Sequence, residues 1–200
     1  MDKLMRRVEP VLAAALFFAG MAFLLKMCYL SLRFNTLFGI LFLLAFDGYV
    51  RRRYGLKVPP VLLFLVLGAI EVDAVGNYFR MYGQRFGPVS YDEFAHFSVQ
   101  ALTAPLVIWI AREGFVKSGH RLPLGVIAFF AVITLFSLSA FYEIIELWDE
   151  LYFSGQRIWS PHDAPNDLQW NLAGAVFGAL LTYAVLRASL KAQADKGQAV

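Results

Sequence analysis

Charged side chains are scarce in this chain. They make up 16% of its 200 residues, against roughly 25% in ordinary soluble domains, which excludes a globular surface held in solution by charge. Cysteine is nearly absent: Cys28 stands alone, so no intrachain disulfide can form and the redox compartment is left unmarked. Basic residues do not gather on one face. The net charge of +3 arises from short Lys/Arg groups set between apolar runs, a pattern of membrane topology and not of a nucleic-acid partner. There is no internal repeat, no low-complexity tract and no soluble domain, the longest polar connection running from about 149 to 166. Neither HExxH nor GxSxG occurs, which removes the two commonest hydrolase signatures.

Apolar bulk is what the chain has in quantity. Hydrophobic residues make up 59%, with 19 Phe, 9 Tyr and 4 Trp, and the mean hydropathy is +0.58. Aromatics in this number suit lipid contact and interfacial belts. A membrane-spanning helix needs about 20 mostly apolar residues, and six segments approach this: 9–29, 34–50, 58–77, 91–113, 122–148 and 167–187. The expected fold is therefore all-α, a polytopic membrane bundle of about six transmembrane helices forming a single integral-membrane domain over 1–200. The second segment is short, with Asp47 near its end, and the fifth is long enough for its last turns to reach water. Pro59 and Pro60 sit where a helix begins. Asp167 is expected to open the sixth helix, where a negative charge suits the helix dipole.

The first segment has the basic start and apolar run of a signal peptide. Bulky LKMCYLSLRF follows in place of a small-x-small cleavage pattern, so a retained anchor is expected. Lys and Arg in short loops favour the cytoplasmic side. With the N-terminus inside, thirteen of the 18 basic residues fall on that side and five opposite, which predicts six spans with both termini cytoplasmic.

This topology gathers acids at one face. Asp73 and Asn77 close the third helix, Asp92 and His96 open the fourth, Glu143 and Glu146 end the fifth, and Asp167 and Asn171 begin the sixth. Each pair is spaced three or four residues apart and so shares a helical face. A carboxylate in hydrocarbon costs at least about 2.5–3.5 kcal/mol and usually faces a bundle interior or a cavity. Clustered acids repel unless a cation or protons neutralise them. A divalent metal, Mg²⁺, Mn²⁺, Fe²⁺ or Zn²⁺, meets that need with Asp73, Asp92, His96, Glu143, Glu146 and Asp167 as candidate ligands. Glu146 and His96 are the candidate base and proton shuttle, and Tyr91 a candidate proton donor.

Plainer uses stand beside these. Glu143 and Glu146 can be solvated beyond the bilayer, Asp167 can cap its helix, and Asp73 with Asn77 can form a local network. Glu71 points away from Asp73 on the same helix, and Asp73 is the preferred ligand. His162 and Asp163 read as a turn or as an extra ligand pair at the mouth of the site. Gly174 and Gly178 form a small-xxx-small pattern for close helix packing.

Three stretches, YDEFAHF at 91–97, EIIELW at 143–148 and NDLQWNLAGAVFGA at 166–179, are similar to those of the YjdF-like family of small bacterial inner-membrane proteins, a family without an established reaction. The resemblance implies a multi-pass inner-membrane topology and a recurring set of polar residues. Asn171 stands where it leads one to expect an acid. The leading functional expectation is a metal-dependent hydrolase that opens to the periplasm and cleaves an ester or phosphoester of a membrane lipid or lipid-linked envelope precursor. A proton- or cation-coupled transporter and a structural or accessory membrane protein are the alternatives.

Overall fold

The structure, a computed structural model, describes residues 30–153, 158 and 160–197. The first expected span, 9–29, lies outside them. Five helices follow in order among the described residues: α1 (Leu30–Tyr54), α2 (Pro60–Tyr78), α3 (Tyr91–Lys117), α4 (Leu124–Phe153) and α5 (Asp163–Gly197). A two-residue hairpin pairs β1 (Arg85–Phe86) with antiparallel β2 (Val89–Ser90) just before α3. Helices α2 to α5 are each long and apolar enough to cross a membrane. Helix α1, the expected second span, ends in Arg51, Arg52 and Arg53 and is not one of these four. The chain is thus an all-α, multi-pass membrane protein.

The helix starts follow local chemistry. Pro60 occupies the first turn of α2, where the missing N–H would have no intrahelical partner. At α3, Ser90 and Glu93 form a capping box: the Glu93 N–H donates to Ser90 Oγ at 3.2 Å and the Ser90 N–H to Glu93 Oε2 at 2.7 Å. Such caps contribute about 1 kcal/mol and fix where the first turn of α3 begins. The last helix begins at Asp163, a full turn before the expected start. Pro165 is compatible with this because first-turn N–H groups are unpaired anyway. Asp167 therefore does not open its helix but lies one turn inside it.

The chain divides into two compact units, Met1–Gln84 and Arg85–Val200. In the first, Gly39 lets α1 approach Ile70 of α2, whose Cδ1 lies 2.8 Å from where a β-carbon would stand. Asp47 accepts from the Val58 N–H at 3.3 Å and pairs with Arg51 at 2.7 Å. Asp73 accepts from Tyr82 Oη at 2.6 Å and from Asn77 Nδ2 at 3.1 Å.

The second unit is a three-helix bundle. Ala104 of α3, Leu135 of α4 and Ala175 of α5 form one buried layer, and Ile108, Ile127, Ala131 and Ala179 form the next. Residue numbers rise together in α3 and α5 and fall in α4, so α3 and α5 run parallel with α4 antiparallel. The closest approach joins α5 to α3. A β-carbon on Gly174 would overlap the Phe97 carbonyl and come within 2.9 Å of the Phe97 Cα. Gly178 bears the same relation to Ala101. Pro105 lies inside α3 and cannot donate to the Ala101 carbonyl one turn earlier, so Gly178 meets a carbonyl that has lost its usual donor. In lipid, where apolar burial gives little drive between helices, such small-residue contact is a main source of association. Phe129, Phe141 and Leu151 point outward from α4, as lipid contact requires.

Candidate metal centre

The site grows out of the parallel α3/α5 seam. Asp92 lies in the capped first turn of α3 and His96 one turn on, so both project from one face. On α5, Asp167 and Asn171 repeat that spacing. Seating Gly174 on Phe97 and Gly178 on Ala101 leaves these two faces opposite each other. His96 Nε2 lies 3.4 Å from Asp92 Oδ1 and 3.6 Å from Asp167 Oδ1. Its other ring nitrogen, Nδ1, is 3.3 Å from Asn171 Oδ1. At the rim, Asn166 Nδ2 donates to Glu93 Oε1 at 3.4 Å.

The ring assignment follows from the partners. With Asn171 presenting Oδ1, an acceptor, Nδ1 is the nitrogen placed to donate to it, while Nε2 faces the two carboxylates. One donor atom each from Asp92, His96 and Asp167 lies within 4.8 Å of the other two. The three are close enough to hold one metal ion.

Helix α4 closes the third side. The contacts Ile108 to Ile127 and Ala131, Ala104 to Leu135, and Gln100 to Ser139 step regularly outward, and the next step sets Glu143 at the level of His96. Glu143 is 8% exposed and interacts electrostatically with His96 and Asp167. One turn deeper, Ser139 Oγ donates to the Leu135 carbonyl at 3.0 Å and accepts from Gln100 Nε2 at 2.6 Å. The single serine proton is committed to Leu135, so the Gln100 amide must turn its nitrogen to Ser139 and its oxygen away.

Three buried oxygens in this region have no hydrogen-bond donor: Asp167 Oδ1, Glu143 Oε1 and Gln100 Oε1. A buried acceptor left unpaired costs about 1–3 kcal/mol, more when charged. Among the described residues these acceptors lie around the triad and one turn beneath it.

Of the expected site residues, Asp92, His96 and Asp167 converge directly. Glu143 joins them from α4 at the same level. Glu146, half-buried one turn outward, interacts electrostatically with Glu143 but lies outside the triad. Tyr91 is buried among aromatic rings, 6.4 Å from Phe86 and 5.9 Å from Phe94 between centroids. Asp73 belongs to the first unit, where Tyr82 and Asn77 already hold its carboxylate. His162 is exposed in the turn before α5, while Asp163 belongs to the helix and interacts electrostatically with Glu143 and Asp167. Gln100 and Ser139 escaped sequence reasoning. Their signal was present, because Gln100 lies four residues after His96 and Ser139 four before Glu143, continuing both polar faces inward.

No curated protein and no solved structure matches the chain. The model of a family described as predicted membrane protein, DUF2238, matches residues 9–191, and YjdF-like membership is consistent with it. These residues cover nearly the whole chain, from before α1 to within the last two turns of α5 and including the triad, and the chain belongs to that family.

Proposed function

We propose that Asp92, His96 and Asp167 bind a divalent metal ion at the periplasmic end of a bacterial inner-membrane bundle, and that the site hydrolyses an ester-type bond of a membrane lipid or lipid-linked precursor. The observation that carries this is Asp167 Oδ1, which is buried, lacks a donor and stands 3.6 Å from His96 Nε2. A direct charged hydrogen bond would be about 2.7–2.9 Å. A tetrahedral ion with bonds of about 2.0–2.2 Å has ligand-to-ligand edges of about 3.3–3.6 Å, and the separations of 3.4 and 3.6 Å suit such a cation between the groups. One imidazole with two carboxylates is compatible with Zn²⁺, Fe²⁺, Mn²⁺ or Mg²⁺. Asn171, by holding Nδ1–H, keeps the Nε2 lone pair directed at the ion, a common outer-shell arrangement.

Asp92, His96 and Asp167 would hold the ion, and when bound it would supply polarisation of an ester carbonyl and acidification of water. Glu143 is placed to act as the base, its Oε1 being buried and unpaired. It takes a proton from water as the water oxygen bonds to the carbonyl carbon, then returns that proton to the alcohol oxygen as the old C–O bond breaks. Orientation rests on charge: in α3 the basic residues are Arg112 and Lys117, and in α5 Arg187, Lys191 and Lys196, all at the ends away from the triad. Cytoplasmic placement of those ends turns the site outward.

Transport is favoured less, because below the Gln100–Ser139 pair the bundle closes with two successive apolar layers. Elemental analysis of purified protein tests the reading. About one divalent ion per chain is expected in the wild type and a loss of it in His96→Ala and Asp167→Asn. Wild-type protein that takes up no divalent ion refutes the proposal, and Mn²⁺ or proton flux in liposomes that vanishes in His96→Ala replaces it with transport.

A further inference from the structure

We infer that the bond cleaved at this site belongs to an uncharged carboxylic ester of an acyl chain, and that phosphate esters are refused. The inference rests on the metal-dependent hydrolase reading and narrows its substrate class. It comes from where charge is placed in the second unit. Asp92, Asp167 and Glu143 surround the site, and Asp163 and Glu146 interact electrostatically with this group from the rim. The two positive charges of one divalent ion leave that assembly negative.

Among the described residues of α3, α4 and α5, no basic side chain is near enough to reverse the sign. Helix α4 contains neither Lys nor Arg along its 30 residues. The first in α3 is Arg112, sixteen residues beyond His96 and so about 24 Å along the axis. The first in α5 is Arg187, twenty residues beyond Asp167, about 30 Å away. In the hairpin, Arg85 is exposed, donates to the Pro88 carbonyl at 2.7 Å and interacts electrostatically with Glu93, so its charge is met by a carboxylate outside the triad.

Helix N-termini attract anions, and α3 and α5 both begin at this end. Those ends are already answered by Asp92 and Glu93 in one first turn and Asp163 in the other. Phosphate recognition uses Arg, Lys and converging N–H donors. This site presents acceptors instead: Asp167 Oδ1, Glu143 Oε1 and the Gln100 oxygen that Ser139 turns away from itself. Among low-dielectric helices such a one-signed group of side chains repels anions. An ester carbonyl brings no charge, and a hydroxyl group of its alcohol portion supplies the donor that Gln100 Oε1 lacks, leaving Glu143 Oε1 to the attacking water. Outward Phe129, Phe141 and Leu151 keep α4 in contact with acyl chains.

The test compares two probes with one leaving group, 4-methylumbelliferyl heptanoate and 4-methylumbelliferyl phosphate, on full-length protein loaded with divalent metal in detergent, each rate taken over that of His96→Ala. The heptanoate is expected to be cleaved and the phosphate not. Asp163→Asn removes one rim charge without touching the triad and is expected to narrow the preference by about threefold. Cleavage of the phosphate at an equal or greater rate overturns the inference and leaves the hydrolase reading standing. Metal-loaded protein that cleaves neither probe overturns both, and an ester preference unmoved by Asp163→Asn overturns its electrostatic cause.

Discussion

Gly178 lies so close to Ala101 that a β-carbon on it would overlap the Ala101 carbonyl oxygen and come within 2.9 Å of the Ala101 Cα. Gly174 meets Phe97 in the same way four residues earlier, so two glycines set both the distance and the register of α5 on α3. The triad depends on that register, because Asp92 and His96 come from one helix and Asp167 from the other. Gly174→Ala forces backbone apart, a change that typically costs about 1–3 kcal/mol in a packed interior. The expected outcome is a lower midpoint of thermal unfolding together with loss of bound metal. Wild-type metal content in Gly174→Ala would show that the seam does not set the site.

That dependence also explains what the sequence could and could not reveal. Long apolar runs made α2, α3 and α4 legible to within a few residues, because membrane thickness dictates their length. Helix α5 starts at Asp163, a turn before the expected opening at Asp167, because a proline in the first turn, here Pro165, breaks no intrahelical hydrogen bond. Four-residue spacing identified Asp92 with His96 and Asp167 with Asn171 as shared faces, and these are the faces that meet. Spacing within one helix says nothing about how a neighbour is rotated. Asp73 with Asn77 shows the same spacing, and within the first unit its carboxylate accepts from Asn77 and Tyr82. Glu143 and Glu146 likewise looked alike, and only Glu143 is buried against the other acids.

Asn171 touches His96 Nδ1 and is not one of the three proposed ligands, which makes it a positioning residue for the proposed metal site. Without it Nδ1–H loses its acceptor and the ring is free to rotate or change tautomer. Changes to such outer-shell partners typically weaken metal binding about 10–100-fold. Asn171→Leu is expected to fall in that range by competition against a chelator of known affinity, and Asn171→Asp, which keeps the acceptor, to retain binding. Equal affinity in Asn171→Leu and wild type would remove Asn171 from the metal centre.

Ser139 tests the polar layer beneath. Ser139→Ala leaves Gln100 Nε2 without its buried acceptor, a loss worth about 1–3 kcal/mol, and frees the amide to rotate. Metal stoichiometry should stay unchanged because neither residue belongs to the triad, while hydrolysis of the heptanoate probe should fall. A decrease in bound metal equal to that of His96→Ala would instead place Gln100 among the ligands.

Removing the metal should destabilise the folded protein by a predictable amount. A ligand held only by the native state adds about 2.7 kcal/mol of stability when present at a hundred times its dissociation constant. The unpaired Asp167 Oδ1 gives the effect its direction, since chelation returns a buried carboxylate to a site without a donor. The unfolding midpoint should therefore drop on treatment with a chelator and recover on addition of a divalent ion. Asp167→Asn should abolish this response: the neutral amide no longer needs a cation and no longer binds one well. A midpoint that is the same with and without metal in the wild type would mean that His96 and the carboxylates are already balanced by protons alone.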